Sequence, residues 1–394
     1  IEALSTGMSR HAEIQRQLLP AMLGWFAEGP SPDHGLLAFR QVSEALGSTP
    51  WYLRALRDEG LMAERMAVIL SSSRYAVDLM RRSPQAVQHL TDDADLAPRS
   101  LDELRESMTS ALARNPEGDR ALESVQMLRR AELLRVAMGD VLHRTELEVV
   151  GRAITDIADA TVDATLELAR REIDGAPPIA VIAMGRWGGS EMSYGSDADA
   201  MFVVADTDDP GATGAATQLV ARLRAMLRQQ DKETALEIDP DLRPEGKGGP
   251  LVRTLSSYRA YYARWSATWE AQALLRADFA AGDKATGELF SDLIAPIRYP
   301  EGGLTQAQVV EIRRLKARME GERLPRGVDA SRHVKLGPGG LSDVEWTVQL
   351  LQLQHAHAVP ALRTPRTLAA LRGAAEADLV AEADAAALEA AWVL

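Results

Sequence analysis

The sequence predicts an α+β fold, mostly helical, in which a small mixed α/β core stands between N- and C-terminal helical domains. Three observations carry this expectation. The first 172 or so residues repeat apolar side chains at three- and four-residue spacing. Short β-branched runs then alternate with glycine-rich turns for about a hundred residues. From Ser257 onward the helical spacing returns. The expected domains are 1–172, helical; 173–278, the mixed core; and 279–394, a truncated helical bundle.

In the N-terminal part, Leu18, Leu19, Met22, Leu23 and Phe26 recur on one helical face. So do Leu53, Leu56, Leu61, Met66 and Leu70, and the segment 131–168 is long, periodic and nearly without Gly or Pro. Breaks are expected at Gly-Pro-Ser-Pro (29–32), Gly-Ser-Thr-Pro (47–50), Ser-Pro (83–84) and Asn-Pro-Glu-Gly (115–118).

The pattern changes after Asp174-Gly-Ala-Pro-Pro. Residues 177–184 read as a buried strand, 198–205 as a second, 235–239 as a short third and 250–255 as a fourth, with an amphipathic helix over 217–232. Further helices are expected over 258–279, 305–320, 342–354 and 364–376.

Composition narrows the function classes. The 394 residues are 46% hydrophobic and 26% charged, a globular balance, with few aromatics, at 5%. The formal net charge is -13, which argues against nucleic acid as a bulk partner, because that binding rests on Lys and Arg at phosphates. There is no Cys, which excludes disulfides, thiolate metal sites and a Cys nucleophile, and a cytoplasmic protein is expected. No apolar run reaches membrane-spanning length, so no membrane partner is expected. The chain opens on Ile-Glu-Ala-Leu and stops inside an apolar helical pattern, and it is expected to be a piece of something longer.

The candidate chemistry centres on Asp197 and Asp199 in Gly-Ser-Asp-Ala-Asp-Ala (195–200). On a strand, residues i and i+2 share a face, about 7 Å apart at Cα. Two carboxylates so placed converge on divalent ions, and oxygen ligands favour Mg²⁺ over soft metals. The run Gly185-Arg186-Trp187-Gly188-Gly189-Ser190 lies just upstream. Its glycines allow close approach of an oxyanion, and Ser190 and Ser196 add hydroxyls. A glycine-rich turn leading to an acid pair suits a Mg-nucleoside triphosphate. A third acid is expected on a neighbouring strand. Glu237, Asp239 and Asp241 share one parity, and Asp239 is chosen because Pro240 ends the strand behind it. Arg243 and Lys247 follow in a Gly-rich loop, as fixed positive charges for the triphosphate or the leaving pyrophosphate.

Competing motifs fail. The glycines do not follow the dinucleotide spacing, and Gly246-Lys247 is followed by Gly instead of Ser or Thr. Met201 occupies the position of a third calcium-loop ligand, and His355-Ala-His357 reads as helix surface.

At these residues the chain resembles the glutamine synthetase adenylyltransferases, within the DNA polymerase beta-like nucleotidyltransferase superfamily. The run Gly-Gly-Ser-Glu-Met-Ser-Tyr-Gly-Ser-Asp-Ala-Asp (188–199) carries the likeness, with residues 241–252, 268–277 and 335–346. It is nearest to actinobacterial, mycobacterium-like members. The resemblance implies a bifunctional protein with two tandem units, one attaching AMP from ATP to a tyrosine of glutamine synthetase and one removing it by phosphorolysis. The wording Thr-Trp-Glu-Ala-Gln-Ala-Leu-Leu-Arg-Ala (268–277) resembles the C-terminal, adenylylating unit. The alternatives are the removing unit and a non-catalytic nucleotide-sensing module. The resemblance further implies two Mg²⁺ ions, with Mn²⁺ as an alternative. It implies Asp197, Asp199 and Asp239 as metal-binding acids, and Gly185 with the Gly188-Gly189-Ser190 turn as the phosphate segment. Its implied partners are glutamine synthetase, a PII-type signalling protein and glutamine. In the second Gly-Gly motif, Lys335 is a candidate nucleotide contact and Asp343 a candidate helix cap. Glu270 and Arg276 read equally well as surface ion pairs.

Overall fold

A computed structural model describes residues 10–46, 49–58, 60–115, 117–229, 235–322, 324 and 327–393. The chain divides into two compact units, Ile1–Leu168 with Gln229–Ala235, and Ala169–Arg228 with Leu236–Leu394. The segments 173–278 and 279–394 both fall within the second unit.

The first unit is helical: α1 (Arg10–Glu28), α2 (Pro32–Leu46), α3 (Pro50–Asp58), α4 (Gly60–Ser72), α5 (Arg74–Arg82), α6 (Leu101–Arg114), α7 (Gly118–Val141) and α8, which starts at Leu147 and runs to Arg170. Met22, Phe26, Leu56, Met66 and Leu70 are buried as their periodicity predicts, whereas Leu23 and Leu61 are exposed. Prolines start α2 and α3, where the missing N–H costs nothing. Ser100 caps α6 reciprocally with Glu103. The periodic stretch 131–168 is broken: α7 ends at Val141, and the chain turns through His143, at φ +52°, before α8. The expected breaks at 47–50 and 115–118 lie partly outside the described residues.

The second unit is built on a five-stranded sheet: β1 (Ile179–Ala183), β2 (Ala198–Val204), β3 (Ile238–Asp239), β4 (Val252–Thr254) and β5 (Asp278–Gly282). The order is β3-β2-β1-β5, with β4 also pairing β2. β1 is antiparallel to β2 and to β5, while β3 and β4 run parallel to β2. Both β1 and β2 are apolar on both faces except at Asp199, as a covered central strand requires.

The helices of this unit are α9 (Gly185–Gly188), α10 (Ala212–Arg228), α11 (Leu255–Trp265), α12 (Thr268–Leu274), α13 (Lys284–Arg298), α14 (Gln306–Glu322), α15 (Leu341–His355), α16 (Thr367–Glu376) and α17 (Glu382–Val393). Ala180, Ile182, Met201 and Val203 of β1 and β2 pack with Tyr258 and Tyr262 of α11, Leu274 of α12, and Phe290 and Ile294 of α13. Residues 258–279, expected as one helix, are instead the greater part of α11, all of α12 and the start of β5. The helix breaks at Ser266-Ala267. Strand β5 is held by its pairing with β1, Ala180 opposite Gly282 and Ala183 opposite Asp278. No helix among the described residues is long and apolar enough to cross a membrane.

Candidate active site

The site forms where β1 ends and β2 begins. β2 starts at Ala198, so Asp199 is on the strand and Asp197 in the exposed connection just before it. Asp199 shares parity with Met201 and Val203 and so points toward the helix-covered face. β3 aligns in parallel with β2 so that Asp199 stands opposite Asp239. Neighbouring strands lie about 4.8 Å apart, so the two carboxylates are neighbours across the ladder. Oδ1 of Asp239 accepts the Asp241 N–H at 2.8 Å, which fixes its orientation.

The electrostatics are unbalanced. Burial raises the Asp199 carboxyl, and the charges of Asp239, Asp197 and Asp241 raise it further against the opposing pull of Lys335, to about 6.

Asp199 lines a cavity of about 200 Å³ with Gly185, Arg186, Arg276, Lys335, Glu345 and Gln349. Asp197 and Asp239 line a second cavity of about 610 Å³ with Arg224, Arg228, Asp241 and Lys247. The acids therefore form the wall between two openings.

The glycine turn is tightly built. Gly185 has φ +57°, and a Cβ there would lie 2.5 Å from Oδ2 of Asp199. Gly188 passes against backbone: a Cβ would meet the Arg276 carbonyl oxygen at 1.9 Å and that of Ala183 at 2.5 Å. At Gly189 it would meet the Arg276 guanidinium at 2.4 Å. The N–H groups of Gly188, Gly189 and Ser190 donate to the carbonyls of Met184, Gly185 and Trp187. These glycines thus serve close packing, and their donors are engaged within the turn instead of being presented to a phosphate. Ser190 itself adopts φ +54°. Ser196 Oγ accepts the Ser193 N–H at 2.8 Å and holds the turn before β2.

Arg243 and Lys247 have different surroundings. Arg243 is buried and donates to three carbonyls of its own loop, Pro240 at 2.8 Å, Gly249 at 3.1 Å and Lys247 at 3.3 Å. It is a loop staple. Lys247 is exposed at the larger cavity, with Nζ 3.2 Å from Oδ2 of Asp241.

Glu270 and Arg276 are buried instead of forming surface pairs. Glu270 accepts the Ala267 N–H and the Tyr261 hydroxyl, each at 2.8 Å. Arg276 pairs with Glu191 and donates to Thr367 Oγ1 at 3.1 Å, and Thr367 Oγ1 donates to Glu191 at 2.9 Å. Glu345 stands 3.6 Å from Arg276 and 3.7 Å from Arg186. This network ties the glycine turn to α15 and α16. Sequence spacing does not reveal it, because the partners are up to 176 residues apart. At the second Gly-Gly motif, Asp343 accepts the Gly339 N–H at 2.6 Å and pairs with Lys316, so it braces the turn before α15, whose N-cap, Gly340, has no side-chain cap. Lys335 reaches the Asp199 cavity. His355 and His357 are half-buried at the end of α15 and just beyond it.

No group of three or more His, Cys, Asp or Glu side chains close enough to hold a metal occurs among the described residues. The residues fit a different mode. Mg²⁺ is commonly held by one or two carboxylates together with substrate phosphates and water. Asp199 and Asp239, in register, supply such a pair. The raised Asp199 carboxyl is one whose charge a cation would compensate.

Comparison with known proteins decides the family. Residues 63–292 match the family model of glutamate-ammonia ligase adenylyltransferase. The chain belongs to this family. Residues 311–394 match a second model, described as GlnD PII-uridylyltransferase. The bifunctional glutamine synthetase adenylyltransferase/adenylyl-removing enzyme of Cutibacterium acnes is 53% identical over 393 residues, which is 100% of this chain and 40% of that protein. The enzyme of the same name from Streptomyces coelicolor is 51% identical over 415 residues, again 100% of this chain and 42% of the relative. That of Mycolicibacterium smegmatis is 45% identical over 404 residues. The chain thus spans about two fifths of the length of the relatives it matches.

Proposed function

We propose that this chain carries a nucleotidyl-transfer site that moves AMP from ATP to a tyrosine hydroxyl of glutamine synthetase, with release of pyrophosphate. The observation that carries the reading is the Asp199–Asp239 pair, aligned across parallel strands beside the glycine turn, in a chain of this family. The wording of residues 268–277 supports the adenylylating unit over the removing one.

In this reading Asp199 and Asp239 would hold Mg²⁺, or Mn²⁺, that arrives with the nucleotide, and Asp197 would add its charge beside them. Bound there, the ion supplies charge neutralisation at the phosphates and lowers the pKa of the acceptor hydroxyl. Gly185, the phosphate-segment residue, lets the Asp199 carboxylate lie against the turn, where a Cβ would collide with it. Gly188, Gly189, Ser190, Ser196 and Arg243 keep the two loops in shape, and Lys247 meets the leaving pyrophosphate. The tyrosine oxygen bonds to the α-phosphorus as the bond from that phosphorus to the α,β-bridging oxygen breaks. Asp239 accepts the hydroxyl proton. Regulation by a PII-type protein and by glutamine, in a cytoplasmic setting, belongs to the same reading.

The test is a paired assay. The chain is incubated with Mg²⁺, α-labelled ATP and unmodified glutamine synthetase, and in parallel with adenylylated glutamine synthetase and phosphate. Label on glutamine synthetase, abolished in Asp197→Asn and Asp199→Asn, is the expected result. ADP formed in the second arm would assign the removing activity. ATP binding with neither product would make the chain a nucleotide sensor. Near wild-type labelling by either Asn variant would refute the site.

A further inference from the structure

The wall of the Asp199 cavity carries three cations, Arg186, Arg276 and Lys335, against two carboxylates, Asp199 and Glu345. The three cations are not equivalent. Arg276 is 6% exposed and held by Glu191 and Thr367. Lys335 is exposed, on the turn before the second Gly-Gly pair. Arg186 projects from α9, directly after the positive-φ Gly185, and is 26% exposed. Its Nε lies 3.7 Å from Oε1 of Glu345, and its guanidinium lies 5.8 Å from the centroid of the Trp392 ring. Glu345 is shared with Arg276 at 3.6 Å. Arg186 is therefore steered by two long contacts, neither a close hydrogen-bonded pair.

We propose that Arg186 is the residue that grips the phosphate chain of the nucleotide, and that Trp392 of α17 positions it for this. The proposal rests on the nucleotidyl-transfer reading above, with the phosphate chain entering this cavity beside Asp199. A guanidinium meets phosphate in paired, charge-assisted hydrogen bonds, which displace long contacts of the kind seen here. A cation–ring contact at this separation orients the guanidinium without locking it. Trp392 does not stand alone. It packs against the cluster of Val348, Leu368, Leu371 and Ala385, so the seating of α17 on α15 and α16 sets where the indole stands. Glu345, which faces Arg186 from α15, lies one helical turn before Val348 of that cluster. A shift of α17 would thus reach the nucleotide through one side chain. Trp392 is a positioning residue, and Arg186 is a binding residue.

The experiment titrates the 394-residue chain, with Mg²⁺ present, with a fluorescent ATP analogue, using ATP, tripolyphosphate and adenosine as competitors. Loss of one charge-assisted pair in Arg186→Ala should weaken ATP and tripolyphosphate about tenfold and leave adenosine unchanged. Arg186→Lys should recover part of the loss. Trp392→Ala should weaken ATP about threefold, while Trp392→Phe, which keeps a ring face, should bind as wild type. Melting temperatures of Arg186→Ala and Trp392→Phe should stay within about 2 °C of wild type, since neither substitution removes a close hydrogen bond. Equal weakening of adenosine and tripolyphosphate in Arg186→Ala would mark a structural role and overturn the proposal. Unchanged ATP affinity in Arg186→Ala, with wild type binding ATP, overturns it while leaving the nucleotide site standing. Wild-type affinity in Trp392→Ala overturns the part assigned to α17. A wild-type chain that binds no ATP overturns both the proposal and the reading beneath it.

Discussion

Glu132 in the helical unit and Asp199 in the sheet unit are both carboxylates removed from water, and their neighbours differ in sign. Glu132, on α7, is 5% exposed. Arg135 donates to it at 3.0 Å and Arg99 at 3.4 Å, and Arg99 also binds Ser107 at 2.8 Å. Each charge there has an opposite partner, and the cluster ties the start of α6 to α7. Asp199 instead faces Asp239, Asp197 and Asp241, whose repulsion outweighs the opposing pull of Lys335. A buried acid met by cations on two sides needs nothing further. An unbalanced one at the wall of two cavities is an arrangement that a bound cation and an anionic substrate would complete.

The largest expected effect comes from unbalancing the first cluster. Glu132→Ala would leave Arg99 and Arg135 facing each other, partly buried and without their acceptor. Removing one partner of such a pair costs about 3 kcal/mol. The midpoint of denaturant unfolding, followed by circular dichroism, should fall accordingly, while the ATP affinity of the sheet unit stays as in wild type. A stability loss under about 0.5 kcal/mol, the usual range for a surface change, would mean that the pairing contributes little.

Balancing the second cluster should act in the opposite direction. The folded-state value of Asp199 is raised to about 6 from the ordinary 3.8. The folded chain therefore binds this proton more tightly than the unfolded chain does. The associated cost is absent below about pH 4, grows as pH rises, and is complete somewhat above pH 6. In metal-free buffer Asp199→Asn should stabilise the chain by about 2 kcal/mol at pH 7.5 and leave it unchanged at pH 4. The same substitution should abolish adenylyl transfer. A melting temperature that does not move with pH between wild type and variant would show that Asp199 is solvated and its neighbours distant.

Much of this site was legible in the sequence because its parts are local. The glycine turn, the strand that follows it and the acid pair lie within about twenty residues, 185–204, and strand parity predicts which way Asp199 points. What was not legible depends on distant chain. Strand β5 reads Asp-Phe-Ala-Ala-Gly, with one strongly strand-favouring residue, after a run of helix formers. Pairing with β1 overrides that propensity. Gly188 and Gly189 look like phosphate-loop glycines, yet the carbonyl and guanidinium of Arg276 are what leave no room for a side chain. Arg276 and Glu270 are charged residues that sequence alone reads as surface, and their burial follows from helices packed around them. The break at 142–146 carries no Gly or Pro, and the left-handed His143 marks it only in three dimensions.

The smallest stability effect should be the most informative for function. By sequence, Arg243 and Lys247 are two basic residues of one glycine-rich loop, equally suited to phosphate. In the fold, Arg243 is consumed by three carbonyls of that loop, and substituting it would disorder the loop whatever its chemistry. Lys247 has 85% of its side chain exposed and one ion pair, to Asp241. Exposed pairs of this kind contribute about 0.5 kcal/mol or less. Lys247→Ala should therefore leave the unfolding midpoint within error of wild type. If Lys247 meets the leaving pyrophosphate, the variant should transfer AMP roughly tenfold more slowly and be inhibited less by added pyrophosphate, with its ATP affinity little changed. Unchanged transfer would return Lys247 to the surface and leave the larger cavity with Arg224 and Arg228 of α10 as the cations that face Asp197 and Asp239.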